Sequence, residues 1–136
     1  MFFRLTTIVF AALLISACAP PPYTNVDNQG LQQLLDSSVT LIDIRRPEEW
    51  RETGVVQGSH GLTFVDEAGR LVPGFLERFQ AKAPADQPVV LICRTGNRTD
   101  VLARHLMEQM GYSQVYNVRN GIVGWMSEGR PVKRPG

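Results

Sequence analysis

Residues 89–99 have the sequence VVLICRTGNRT, in which four apolar residues lead directly into Cys93 and a polar segment with one glycine follows. The apolar run predicts a buried strand over 89–92, and residues 100–107 carry apolar side chains at helical spacing. A strand, a short loop and a helix therefore place Cys93 beside a helix N-terminus. Free amide groups and the positive end of the helix dipole collect there.

This position favours a nucleophilic Cys93 that handles anions. The helix dipole and the side chains of Arg94 and Arg98 stabilise a thiolate on its sulfur. The alternative is a cysteine buried as a small apolar side chain, which is common in proteins. We favour the reactive thiolate, because two arginines would crowd a purely apolar position and Gly96 would interrupt the helix start without a gain in packing.

Strands and helices alternate along the rest of the chain. The predicted elements are strands over 39–44, 89–92 and 115–118 and helices over 30–35, 47–51, 74–82, 100–107 and 121–126. This alternation indicates one α/β domain with a mostly parallel central sheet flanked by helices. In such sheets the chemistry lies at the carboxyl ends of the strands, where we expect both Cys93 and Asp43.

The N-terminal residues have the pattern of an export signal. A basic start with Arg4 is followed by an almost wholly apolar run over 5–15, which is shorter than the about twenty residues that span a bilayer. Residues 14–18, LISAC, resemble the bacterial lipoprotein cleavage box. We therefore expect a signal peptide over 1–17 and a lipid on Cys18. An ordinary signal peptide cut nearby is the alternative.

A lipid on Cys18 would anchor the protein to a membrane on the periplasmic side of the bacterial cell envelope. Ala19 stands where an aspartate would resemble an inner-membrane retention signal, which favours the outer membrane. Residues 18–26 contain three consecutive prolines and are predicted to form a tether, which the prolines would stiffen; a disordered leader is the alternative. Lipidation also leaves Cys93 without a disulfide partner, whereas a Cys18–Cys93 disulfide is the alternative.

The charge balance gives no indication of a nucleic-acid partner. Removal of residues 1–17 takes away one arginine and leaves thirteen basic against thirteen acidic side chains. The chain also lacks metal-ligand spacing, a glycine-rich nucleotide motif and a serine-triad pattern. We therefore expect neither a metal nor a cofactor.

Four segments, in order, resemble the rhodanese-like sulfurtransferase domain. They are LIDIRRPEEW at 41–50, GVVQGS at 54–59, CRTGNRT at 93–99 and VYNVRNGIVGW at 115–125. The third is close to the family's active loop, Cys-Arg-Ser-Gly-x-Arg-Ser. Val55 and Asn120 stand where the family usually has a histidine and a glycine. The resemblance implies a rhodanese-like domain over 27–136.

The resemblance also implies a mechanism, with Cys93 as the catalytic residue. Its thiolate takes the outer sulfur of a small anionic donor such as thiosulfate, holds it as a persulfide, and passes it to cyanide or a thiol. The substrate-binding residues implied are those of the loop, namely Arg94, Thr95, Gly96, Asn97, Arg98 and Thr99. The resemblance suggests supporting roles for Asp43, which would brace the loop through Arg98, and for Arg45, which would pair with Glu49. The alternative, which the residues themselves favour, is that Asp43 and Arg45 form a structural ion pair.

Three other functions stay open from the sequence. Tyrosine-phosphatase-like enzymes and some arsenate reductases place an arginine six positions after the cysteine, whereas Arg98 is five positions after Cys93. The shorter ring of amides suits one sulfur atom better than a tetrahedral oxyanion. A non-catalytic binding module of the envelope would lack the cysteine. A thiol redox sensor would need a second cysteine near the loop.

Overall fold

The computed structural model describes residues 19–136. Five strands form one sheet in the order β1-β5-β4-β2-β3, and all neighbouring strands are parallel. The elements are β1 (Thr24–Val26), α1 (Asn28–Asp36), β2 (Thr40–Asp43), α2 (Pro47–Thr53), β3 (His60–Gly61), α3 (Phe75–Lys82), β4 (Val89–Ile92), α4 (Asn97–Gln109), β5 (Val115–Val118) and α5 (Gly121–Ser127). The predicted α/β architecture with a parallel sheet and flanking helices is confirmed.

Strand β4 lies at the centre of the sheet and is buried on both faces. Val89 and Leu91 pack in a core cluster with α3 and α4, whereas Val90 and Ile92 pack in a second cluster with α1 and α5. This alternation follows from the two-residue period of a strand. Helices cover both faces, as a parallel sheet requires. Cys93 continues the first set and belongs to the cluster beneath α3 and α4.

Two short strands lie where the sequence pattern predicts none. Strand β1 has three residues, two of them exposed, and it pairs with β5. The stiff tether predicted over 18–26 was therefore too long, because its last three residues belong to the sheet. Strand β3 consists of only two residues, both exposed, and pairs with β2. Neither strand carries the apolar alternation from which strands are predicted.

Helix α4 begins three residues earlier than the sequence pattern predicts. Gly96 occupies the N-cap in the left-handed region, with φ +94°, and the helix runs from Asn97 to Gln109. Its first turn is polar, so the apolar spacing that predicted residues 100–107 did not include it. As a result, Arg98 and Thr99 lie in the first helical turn beside the cysteine.

Candidate active site

The Cys93 thiol lies inside the loop that joins β4 to α4. The backbone N–H of Gly96 donates to Cys93 Sγ at 3.2 Å, and the Thr99 hydroxyl lies 3.4 Å from the same sulfur. Both groups are able to donate a hydrogen bond to a sulfur anion. The side chain of Cys93 is 1% exposed, so the loop folds closely around the sulfur.

The loop between β5 and α5 supports the cysteine loop from behind, and two glycines allow the close approach. A Cβ at Gly96 would lie 2.4 Å from the carbonyl oxygen of Arg119, and a Cβ at Gly121 would lie 2.3 Å from that of Arg94. Both glycines have positive φ, at +94° and +58°. Side chains are therefore excluded at both positions by space and by backbone conformation.

Helix α5 fixes the direction of the first peptide groups of the cysteine loop. The N–H of Ile122 donates to the Cys93 carbonyl at 2.9 Å, and that of Val123 donates to the Arg94 carbonyl at 3.2 Å. Because the C=O and N–H of one peptide point in opposite directions, the N–H groups of Arg94 and Thr95 point away from α5. Neither of them donates to a backbone acceptor within residues 19–136. These amides and the first turn of α4 can therefore hold an anion.

The guanidinium of Arg98 binds Glu49 and not the interior of the loop. Its two terminal nitrogens donate to the two carboxylate oxygens at 2.8 and 2.7 Å. Burial by itself would raise the pKa of Glu49, but hydrogen bonds from Arg98 and from the Arg46 backbone N–H outweigh it and hold the pKa at about 2. The hydrogen bonds between Arg98 and Glu49 also raise the pKa of Arg98. Through this pair Arg98, which was predicted to bind substrate, joins α4 to α2.

The second ion pair corrects the predicted pairing. Arg45 binds Asp43 at 2.8 Å, with both side chains almost fully buried. The remaining donors of Arg45 reach the Thr53 hydroxyl at 2.8 Å and the Gly54 carbonyl at 3.1 Å. The structural ion pair between Asp43 and Arg45, one of the two predicted alternatives, is thus present, whereas the pairs that the resemblance implied, Asp43 with Arg98 and Arg45 with Glu49, are exchanged. The reason is geometric: Arg45 precedes α2 and turns back to the end of β2, whereas Glu49 lies in the first turn of α2 and faces α4.

The remaining predicted loop residues divide into a buried set and an exposed rim. Gly96 and Thr99 are buried against the sulfur. Arg94, Thr95 and Asn97 are exposed. The Arg94 side chain forms no ion pair with any residue of 19–136. It is therefore an available cation beside the loop for an anionic ligand.

Sequence reasoning missed Arg119, whose backbone supports the cysteine loop. Arg119 directly follows β5, and Arg94 lies two positions after the end of β4. Both residues therefore lie at the carboxyl edge of the sheet. The carbonyl of Arg119 touches the Gly96 position, and its exposed side chain lines a polar cleft with Asn25 and Asp27. The signal available in the sequence was its place directly after a predicted strand.

The predicted signal peptide and the predicted lipidation site at Cys18 lie outside the described residues. In the part of the chain that the structure describes, no helix is both long and apolar enough to cross a membrane. Over the same residues, His, Cys, Asp and Glu side chains form no group of three that could hold a metal ion. His60 lines a different cleft with Lys82 and Lys133, and burial together with Lys82 lowers its pKa.

A parallel α/β sheet that delivers a cysteine to an amide-lined loop at its carboxyl edge defines a class of thiol-dependent domains. The family model described as "Rhodanese-like domain" matches residues 27–128. The chain therefore belongs to the rhodanese-like domain family.

Several relatives of this chain are named sulfurtransferases. The chain is 33% identical over 112 residues to a sulfurtransferase of Allochromatium vinosum, a match that covers 81% of this chain and 94% of that protein. It is 29% identical over 97 residues to thiosulfate sulfurtransferase GlpE of Pseudoalteromonas translucida, covering 71% and 82%. The solution structure of the polysulfide-sulfur transferase of Wolinella succinogenes is similar at a TM-score of 0.62 and 28% identity, covering 82% and 79%. These relatives support sulfur transfer, with a sulfur donor and an acceptor as substrates, as the general activity.

Proposed function

We propose that this protein moves a sulfane sulfur from thiosulfate or a related donor, through a persulfide on Cys93, to cyanide or a thiol. The observation that carries the proposal is the surroundings of Cys93 Sγ. A backbone N–H from Gly96 and a hydroxyl from Thr99 lie within hydrogen-bonding distance of it. Both can stabilise a thiolate, which is the form of cysteine that attacks sulfur.

In the first half-reaction the Cys93 thiolate attacks the outer sulfur of thiosulfate. A new S–S bond forms, the S–S bond of thiosulfate breaks, and sulfite leaves with the bonding electron pair. Arg94, exposed and without an ion pair among residues 19–136, attracts the doubly charged donor. The sulfur left on Cys93 carries negative charge, and the outward N–H groups of Arg94 and Thr95 are suited to hold it.

In the second half-reaction the acceptor attacks the outer sulfur of the persulfide. The electron pair of the S–S bond returns to Cys93 Sγ, which regenerates the thiolate and releases thiocyanate or an acceptor persulfide. The contact between Arg98 and Glu49 holds the first turn of α4 in place through both steps. Since a misplacement of about 1 Å can cost about a hundredfold in rate, this fixed frame supports the chemistry without touching it.

We also propose that a lipid on Cys18 holds the domain on the periplasmic side of the bacterial cell envelope, with the outer membrane favoured. The support is the sequence of residues 1–18, with its basic start, apolar run and small residues before the cysteine. One acyl chain binds membranes only marginally, so stable attachment requires more than one.

The test of sulfur transfer is the mass of the intact protein after treatment with thiosulfate. We expect one added sulfur on the wild-type protein, and we expect cyanide to remove it as thiocyanate. The matched control is Cys93→Ser, which changes one atom in a buried site and should fold normally without taking up sulfur. Thiocyanate production by the serine variant at the wild-type rate would contradict the mechanism.

A further inference from the structure

A groove of about 520 Å³ runs along α4 from Arg98, in the helical turn whose Thr99 contacts Cys93 Sγ, and it has no role in the steps derived above. One wall is formed by α4, and the other is formed by Phe64, Val65, Leu71 and Leu76. Leu76 lies on α3, and the rest of this second wall is a hairpin in which Val65 and Leu71 pair, closed by Asp66 accepting from two backbone N–H groups. The groove is therefore a shaped cleft between two ordered segments.

The groove follows one face of α4 away from the cysteine. Its helical wall consists of Arg98, Val101, Leu102 and His105. These positions are spaced three and four residues apart and so share one face of a helix. At about 1.5 Å per residue the wall is about 10 Å long. Its first member lies in the turn next to the sulfur, and Leu102 packs in the same buried cluster as Cys93.

The lining of the groove is apolar and carries almost no free charge. Arg98 and His105 are its polar side chains, and the charge of Arg98 is already balanced by Glu49. Two large apolar residues at its rim are exposed, Leu71 by 50% and Val101 by 60%. Thiosulfate is charged, so contact with such a surface does not stabilise its binding, whereas burial of the surface stabilises the binding of an apolar molecule.

We propose that this groove binds the apolar body of a small thiol acceptor, aliphatic or aromatic, and directs its sulfur to the persulfide on Cys93. The inference rests on the proposed sulfur transfer and specifies its second substrate. A volume of about 520 Å³ lies in the range of small-molecule sites, which are also apolar with few polar groups. The thiol gives its proton to water, its thiolate attacks the outer sulfur, and the electron pair of the broken S–S bond returns to Cys93 Sγ.

The test compares two thiols of similar acidity, benzyl mercaptan and 2-mercaptoethanol, as acceptors from sulfur-loaded protein. Wild-type protein should transfer sulfur faster to benzyl mercaptan. The double variant Leu71→Ser with Val101→Ser should lower that rate by about tenfold, since losing apolar contacts in a pocket costs on this scale. Its rates with 2-mercaptoethanol and with cyanide should stay at the wild-type level.

The matched control is Val132→Ser, which removes an exposed apolar side chain that does not line the groove. Equal rates for the two thiols in the wild-type protein, or an equal loss in the control variant, would overturn the groove as the acceptor site.

Binding of benzyl mercaptan to Cys93→Ser protein, measured by calorimetry, separates the two proposals. We expect binding that is lost in a triple variant with both serines in the groove. Binding without any sulfur loading of the wild-type protein would reject the sulfur transfer and keep the groove as an apolar site. Normal loading without binding would reject the groove alone.

Discussion

Replacement of Glu49 by Gln tests whether the contact between α2 and α4 holds the cysteine loop. Glutamine keeps a carbonyl oxygen for one hydrogen bond from Arg98, but it loses the second bond and the negative charge. The side chain of Arg98 is 22% exposed, and one of its two terminal nitrogens would lose its carboxylate acceptor. We expect the variant to fold with lower stability and to transfer sulfur at least about tenfold more slowly, because the first turn of α4 is no longer fixed.

The size of the stability loss follows from the pKa of Glu49. A drop from the ordinary 4.5 to about 2 corresponds to an upper value of about 3 kcal/mol. Solvent screening at the partly exposed pair reduces this to about 2 kcal/mol. Because the folded-state pKa is lowered, the stabilisation is fully present above pH 4.5 and disappears as the pH falls towards 2. The Gln variant should lack this part of the pH dependence.

Urea unfolding at a series of pH values measures both the loss of stability and its pH dependence. Glu48→Gln is the matched control. Glu48 lies one residue earlier in the same helical turn, but it is 45% exposed and pairs with Arg46 alone. We expect its unfolding free energy and sulfur transfer to match those of the wild type. Equal stability losses in the two variants, or an unchanged pH dependence in Glu49→Gln, would refute the structural role of the pair.

Three further predictions concern the loop, the reaction and the anchor. Gly96→Ala should lower the free energy of unfolding in urea by about 2–4 kcal/mol and abolish sulfur loading, because the new Cβ meets the Arg119 carbonyl. Gly58→Ala is the control that isolates the clash, since Gly58 also has positive φ but open space around it. Sulfur transfer should far exceed hydrolysis of aryl phosphates in assays of the same protein sample, since Arg98 is five positions after the cysteine; equal turnover would favour the phosphatase chemistry. Cys18→Ala should give an unprocessed or unanchored protein on membrane fractionation, and a mature wild-type N-terminus without acyl chains would show that the lipidation prediction is wrong.

The sequence predicted the centre of the fold better than its edges. Strand β4 is a continuous apolar run and its neighbours β2 and β5 are largely apolar, because both faces of this part of the sheet are covered by helices. The outer strands β1 and β3 are short and exposed, and they exist through pairing with a neighbour and not through their own apolar pattern. Their presence depends on contacts between distant segments, which local periodicity does not encode.

In the candidate site, too, the sequence predicted local features better than contacts between distant segments. Cys93 and its loop were apparent in the sequence because the strand, the glycine and the helix that shape them are adjacent in the chain. The resemblance implied the wrong carboxylates for Arg45 and Arg98, and the residues left an Asp43–Arg45 pair open as the alternative, because the choice depends on how α2 is placed beside α4. The apolar groove was not predicted either, since its second wall is a hairpin without a strand-like pattern.

The hydrogen bonds from α5 to the cysteine loop make the shape of the loop a property of the whole chain. The carbonyls of Cys93 and Arg94 accept from the N–H groups of Ile122 and Val123, which lie 29 positions later in the chain. A chain cut before α5 would keep the strand and the thiol but would lose the donors that turn the Arg94 and Thr95 amides outward. The thiol and its anion-binding loop are therefore separable, and the last helix is the element that couples them.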